Sequence, residues 1–192
     1  QAIRSGGAIY AERMSRIHTR DSVFVQNRAD LNGGALFIQE TSQTCFIRDS
    51  NMSSNSAVNG GAVYLSGVTT TFEIRRVNLF GNSAVQSGGA LFAEDTSVEA
   101  FNSDFTENSV SVRAFDSDLC QSVGIRFNSD NPSGGAMHLE GVERRDVTVQ
   151  FQECTFQSNS AFVGGALSLI SVATVTIRLS SFEENRSEEH TS

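Results

Sequence analysis

The stretch Asn27-Arg28-Ala29-Asp30-Leu31-Asn32-Gly33-Gly34-Ala35-Leu36 decides the fold, because its two ends recur along the whole chain. Gly-Gly-Ala followed by an apolar residue begins at Gly6, Gly33, Gly60, Gly88, Gly134 and Gly164, at spacings of 27, 27, 28, 46 and 30 residues. A large apolar residue followed three positions later by Asn recurs at Phe24/Asn27, Met52/Asn55, Leu79/Asn82, Phe105/Asn108, Phe156/Asn159 and Phe182/Asn185. Self-similarity of this kind is the mark of stacked units, none of which can bury its apolar face alone.

Aligning the units on the Asn exposes further columns. Ile17, Cys45, Phe72, Val98, Val149 and Val175 share one, and Thr19, Ile47, Ile74, Ala100, Phe151 and Ile177 another. A third column is mostly polar: Asp21, Asp49, Arg76, Asn102, Glu153 and Leu179. The next is mostly small: Ser22, Ser50, Val77, Ser103, Cys154 and Ser180. Ala29, Ala57, Ala84, Val110 and Ala161 follow the Asn by two. Within a unit the apolar residues alternate, as in Val147, Val149 and Phe151 against Thr148, Gln150 and Gln152. Period two means strand, and no stretch carries a helical apolar pattern.

About three short strands per unit, broken by Gly or Asn, predict an all-β parallel β-solenoid of about six coils, each stacked roughly 4.8 Å from the next. In that geometry Gly-Gly supplies positive φ or close backbone approach, and the Ala narrows the corner. The large apolar residue fills the interior. The Asn column is expected to tolerate left-handed backbone and to form a ladder of side-chain amides. The structural repeat residues are therefore Gly6, Gly33, Gly60, Gly88, Gly134 and Gly164 with Asn27, Asn55, Asn82, Asn108, Asn159 and Asn185.

These paired motifs resemble the repeats of the chlamydial polymorphic outer membrane proteins, over residues 5 to 186. The departures are Met52 and Leu79 at the Phe position and Val110 at the Ala position, all apolar. The resemblance implies a right-handed parallel β-helix like that of pectin lyases. It also implies a surface-exposed autotransporter passenger region in adhesion, located outside the cell or on an outer membrane. The partners it implies are neighbouring coils of a longer parent protein and a host or cell-surface protein or glycan. Fold alone does not fix function.

The composition bounds this reading. At 192 residues the length fits one domain. A net charge of −8 argues against a nucleic-acid partner. There is no run of 18 apolar residues, so no helical membrane span is expected. Residues 1–186 read as one repeat domain whose ends carry no capping unit, and so as a fragment of a longer protein. After Asn185, the tail Arg186-Ser187-Glu188-Glu189-His190-Thr191-Ser192 lacks the Ala and Gly-Gly that would continue the repeat. It matches the translation of a common sequencing adapter. Residues 187–192 are read as non-native, and the tail from 186 is expected to add no strand.

Cys45 and Cys154 fall in inward or small columns and read as buried side chains, whereas Cys120 lies in an insertion. Asn51-Met52-Ser53 is a glycosylation sequon by composition and is read as chance. The insertion shows in the spacing: Asn108 and Gly134 are 26 apart, against 5 or 6 in the other units. Residues 111–131 are therefore expected to leave the stack as a loop, bringing Phe105 beside Phe156. Loops on rigid scaffolds carry binding functions, which makes Asp116 and Asp118 candidate partner-binding residues. Asp-Ser-Asp and Asn-Ser-Asp-Asn offer oxygen ligands, but without Ca²⁺-loop spacing, and no cofactor is expected.

The column after the Gly-Gly-Ala-x apolar residue holds Tyr10, Phe37, Tyr64, Phe92, His138 and Ser168. Facing outward, its aromatics would form a stripe able to dock a sugar or a protein. Facing inward, they would be core. The flanking positions are apolar too, so either phase satisfies the sequence. The expectation is the inward phase, with Tyr10, Phe37, Tyr64 and Phe92 kept as candidate partner-binding residues. An enzyme is the alternative, since pectin-lyase-like folds host polysaccharide lyases and hydrolases. Glycosidic cleavage needs two carboxylates across one cleft. The polygalacturonase motifs Asn-Thr-Asp, Asp-Asp and Gly-His-Gly are absent, and His18 and His138 have no partner by motif. The expectation is a non-catalytic segment with no catalytic residues.

Overall fold

The computed structural model describes residues 5–13, 16–111, 132–142 and 146–187. Among them there is no helix, and so none long and apolar enough to cross a membrane. Every named strand pair is parallel, and each strand pairs with the equivalent strand one unit away. The chain is a parallel β-solenoid of six coils, consistent with a right-handed parallel β-helix.

Three sheets run the length of the rod. The first holds the strand after each Gly-Gly-Ala, such as Leu36–Gln39 and Leu91–Glu94. The second holds Cys45–Ser53 and Phe72–Phe80, which are split in later coils into pairs such as Val98–Phe101 and Asp104–Thr106. The third holds short strands after the Asn column, such as Ser83–Ser87. Three strands per coil is thus an undercount for the last three coils, although the polar column has one conformation in every coil. Asp21, Asp49, Arg76, Asn102, Glu153 and Leu179 all have φ between 48° and 55°. That left-handed residue bends the second sheet once per coil.

The core is as the columns predict. Met52, Leu79, Phe105 and Phe156 are fully buried in one row, with Phe24 partly buried and Phe182 exposed in the end coils. Cys45 and Cys154 are buried and free, and burial pushes the Cys154 thiol above its ordinary range. Ala84, Val110 and Ala161 form a second, small cluster at the third corner.

The Asn ladder is continuous. Asn27, Asn55, Asn82, Asn108 and Asn159 each donate from Nδ2 to Oδ1 of the next Asn, ending at Asn185, over 2.9–3.1 Å. Each receiving Oδ1 also accepts the backbone N–H of the preceding Asn, as Asn108 does from Asn82 at 3.0 Å. The second Nδ2 hydrogen reaches back to a carbonyl of the preceding coil, as from Asn108 to Leu79 at 2.9 Å. An internal Asn thus fills both lone pairs and both donors of its amide. One detail differs from expectation. The left-handed residue is not the Asn but the one before it: Gln26, Ser54, Gly81, Glu107, Ser158 and Glu184.

The coils flanking the insertion touch directly. Leu91–Glu94 pairs with Met137–Glu140, and the Phe105 and Phe156 ring centroids are 4.9 Å apart. Residues 112–131, with Asp116, Asp118 and Cys120, lie outside the described residues. At the other end the strand expectation needs correction. Arg186–Ser187 is a strand paired with Ser160–Ala161, because pairing asks only for backbone groups and the Arg186 N–H reaches the Asn159 carbonyl at 2.9 Å. Residues 188–192 lie outside the described residues.

Candidate functional site

The first candidate surface is the outer face of the first sheet. Leu36 and Ile38, Val63 and Leu65, and Leu91 and Ala93 fill the interior with no more than 1 % exposure. The residues between them must therefore point out. Tyr10, Phe37, Tyr64, Phe92 and His138 stack in register with centroids 4.9, 5.2, 5.0 and 5.3 Å apart and planes within 13° of parallel. The expected inward phase is thus corrected: the interior is already full. The rings still cover one another, and Phe37 is only 6 % exposed against 43 % for Tyr10 in the first coil. Ring faces are turned toward neighbouring rings, which leaves mainly edges for solvent. Burial, and then the charge of Glu94, push the Tyr64 hydroxyl up to about 12.

His138 closes this ladder and has partners that no motif reveals. Its Nδ1 lies 2.9 Å from Ser133 Oγ, and its Nε2 lies 3.9 Å from a Glu140 carboxylate oxygen. A Ser–His–Glu set invites a nucleophilic reading, which the surroundings oppose. Ser133 and His138 are buried, and the carboxylate is beyond hydrogen-bond reach. The nearby backbone donors are occupied: Gly134 and Gly135 donate to the Val163 and Gly164 carbonyls at 3.0 and 3.1 Å, leaving no oxyanion site there. Burial lowers the imidazole to about 4, so it is neutral near pH 7. The sequence signal was the spacing 138 and 140, which on a strand shares one face. Ser133 gave none, lying at the edge of the insertion.

The second candidate surface follows the polar column. An open groove is lined by Asp21, Asp49, Arg76, Asn102 and Asp104 together with Asn51 and Asn78. The topology brings these together at the bend of the second sheet, from four successive coils. Asp49 is paired with Arg76, whose Nη2 donates over 2.9 Å, and this hydrogen bond holds the Asp49 carboxyl below its usual range. Beside the groove, Glu73 takes two hydrogen bonds from Arg48 at 2.8 and 2.9 Å and one from Arg75 at 3.0 Å. Burial pushes Glu73 up, and the two arginines outweigh it, so its carboxyl also sits below its usual range. Arg48 lies 4.1 Å over the Phe46 ring, which stacks on His18 at 3.9 Å. No group of three His, Cys, Asp or Glu among the described residues could hold a metal ion.

Comparison with protein-family models, with curated proteins and with solved structures finds no match for this chain.

Proposed function

We propose that the chain is a segment of a rigid cell-surface or secreted β-helix rod, a scaffold and adhesive region without catalysis, of the polymorphic-outer-membrane-protein repeat type. The observation that carries this reading is the Asn ladder, in which the recurrent polar side chain of every coil is committed to its neighbours. Rigidity along one axis is what such bonding supplies, and exposed faces remain for partners. The Asp49 carboxylate, held ionised by Arg76, is poorly matched to the acid of glycoside cleavage, which must carry a proton near neutral pH. The test is adhesion: beads coated with the chain are scored on host-cell and glycan surfaces. Retention above beads coated with an unrelated β-solenoid is expected, and equal retention would overturn the adhesive role.

A second reading, a carbohydrate-binding or polysaccharide-degrading domain, rests on the open groove and its amide and carboxylate lining. Release of reducing ends or unsaturated products from polygalacturonate is expected to be absent. Turnover lost in Asp49→Asn would establish that reading instead.

A further inference from the structure

Parallel register sets equivalent residues of neighbouring coils side by side. Among the described strands it does this to two pairs of acids, Glu73 with Glu99 and Glu94 with Glu140. Neighbouring strands lie about 4.8 Å apart, and like charges directly opposite one another are destabilising. The first pair is relieved, because Arg48 and Arg75 both donate to Glu73. The second pair has no such relief. Glu94 takes a hydrogen bond from Ser66 Oγ at 3.0 Å, and Glu140 faces only His138, neutral and 3.9 Å away. Asp95, next along the chain, accepts the Val142 N–H at 2.6 Å. Among the described residues no arginine forms an ion pair with any of these three carboxylates.

These acids stand at the edge of the aromatic ladder. On the outer face of the first sheet the column Tyr64, Phe92, His138 runs beside the column Ser66, Glu94, Glu140, two residues further along each strand. Tyr64, Phe92, Glu94 and Glu140 are half-buried, and Val142 is 45 % exposed beside Asp95. All lie on inner coils, which have neighbours on both sides. The face therefore joins aromatic edges to negative charge that the fold leaves uncompensated. We propose that this face, over the third to fifth coils, docks an extended, arginine-bearing segment of a partner protein. The arginine stem lies along the ring edges of Tyr64 and Phe92, as long cationic side chains do on apolar surface. Its planar guanidinium carries donors on two sides and serves Glu94 and Glu140 together, which the point charge of a lysine does less well. The proposal names the chemistry of a partner and stands apart from the adhesive reading, since affinity for such a segment is measured without cells.

Other occupants fit this face less well. A second copy of the chain carries the same net charge of −8 and is repelled. A sugar stacks on an open ring face, and here Tyr64, Phe92 and His138 turn their faces to one another. The free rod bears the cost of Glu94 beside Glu140, and a docked cation removes it. Stability and binding thus pull in opposite directions at these two residues, which a purely structural pair would not show.

The test is fluorescence anisotropy of the full chain with a short labelled peptide of alternating arginine and threonine, and with its lysine and citrulline counterparts. The arginine peptide is expected to bind roughly tenfold tighter than the uncharged citrulline one, severalfold tighter than the lysine one, and to lose affinity as salt is added. Glu94→Gln combined with Glu140→Gln weakens binding by roughly tenfold and raises the urea midpoint of the free chain. Removing two charges elsewhere, Glu107→Gln with Glu153→Gln, leaves the affinity nearly unchanged and so separates docking from net charge. Backbone amide shifts on titration map to Tyr64, Phe92, Glu94 and Glu140. Equal affinity for the citrulline peptide overturns the proposal, as do shifts that map instead to the groove at Asp21, Asp49 and Asp104. So does a Glu94/Glu140 variant that binds like the wild type, or one that loses binding together with stability. Self-association of the wild type that the arginine peptide dissolves would make a second copy the occupant and overturn the assignment to a partner.

Discussion

Two of the left-handed corners that turn this chain tolerate side chains very differently. At the Gly-Gly corner, Gly88 has φ of 65°, and a Cβ there would lie 2.2 Å from the Leu91 carbonyl oxygen. Gly89 is needed for a second reason, since its Cβ would lie 2.0 Å from the Gly135 oxygen of the next coil. At the corner before the Asn ladder, Gly81 has φ of 59° and open space around it, and other coils place Gln26, Ser54, Glu107, Ser158 and Glu184 there. The two corners share a dihedral and differ in crowding. A positive φ alone costs a non-glycine residue about 1 kcal/mol, which a stacked coil absorbs. An atom driven into the backbone of the next coil is a cost it cannot absorb without parting the stack.

The sharpest way to break this contrast is Gly89→Ala. The added methyl meets backbone on two sides, Gly135 and Ser109, neither of which can swing away. A loss of about 4 kcal/mol or more is expected, the range reserved for severe steric or cavity defects. Because a solenoid is held by nearest-neighbour interfaces, urea melts followed by circular dichroism should lose their single transition as the coils either side of the defect unfold separately. A single transition with an unchanged midpoint would mean the coils have slack that the contacts do not suggest.

Next in size is the ladder. Asn108→Ala strands the Asn82 donors and takes one donor each from the Leu79 carbonyl and the Asn159 Oδ1, in a site without exposure. Unmet buried groups cost roughly 1–3 kcal/mol each. Partial relaxation brings the expected loss to about 3 kcal/mol in midpoint-derived stability. Asn27→Ala, in the first coil, orphans fewer groups among the described residues and should cost less than half as much. Equal losses at the two positions would show that the ladder is not cooperative along the rod.

How much of this was legible follows from the same physics. Gly-Gly and Asn were readable because backbone approach and a fully bonded amide each admit a single residue type, so the column cannot drift. The left-handed residue was placed on the Asn because Asn is the familiar occupant of that conformation, while the corner itself accepts Gln26, Glu107 or Ser158 and so leaves no compositional trace. The phase of the aromatic column was misread because Ile9 and Ala11 are as apolar as Tyr10. The decisive hints were His138 and Ser168, polar members that an interior column would exclude. The Ser133–His138 contact was out of reach because the insertion breaks the alignment just before it.

A third way to sharpen the comparison is by pH at the end of the aromatic ladder. His138 is held neutral by burial, with a folded pKa of about 4 against an ordinary 6.5. The unfolded chain therefore binds the extra proton first. Stability contributed by the neutral ring is full above pH 6.5, falls as pH drops from there to about 4, and levels off below. The span is bounded at about 3 kcal/mol, and the nearby Glu140 carboxylate works to reduce it. Urea midpoints at pH 7.5 and 5 should differ more for the wild type than for His138→Phe, which keeps a ring in the stack and removes the titration. Parallel pH profiles for the two proteins would show that the imidazole is not desolvated.

The smallest effect should come from Gly81→Asn. The backbone there already has the left-handed φ of 59° that Asn accepts best among residues with a Cβ. Nothing lies within 4 Å of where the Cβ would be, so no contact must give way. Restricting the unfolded chain favours the substitution by about 0.4–1 kcal/mol, against a left-handed cost of similar size. The midpoint should move by less than about 1 kcal/mol in either direction, beside the loss of about 4 kcal/mol or more at Gly89. A large destabilisation at Gly81 would mean that φ, and not crowding between coils, governs which glycines this repeat requires.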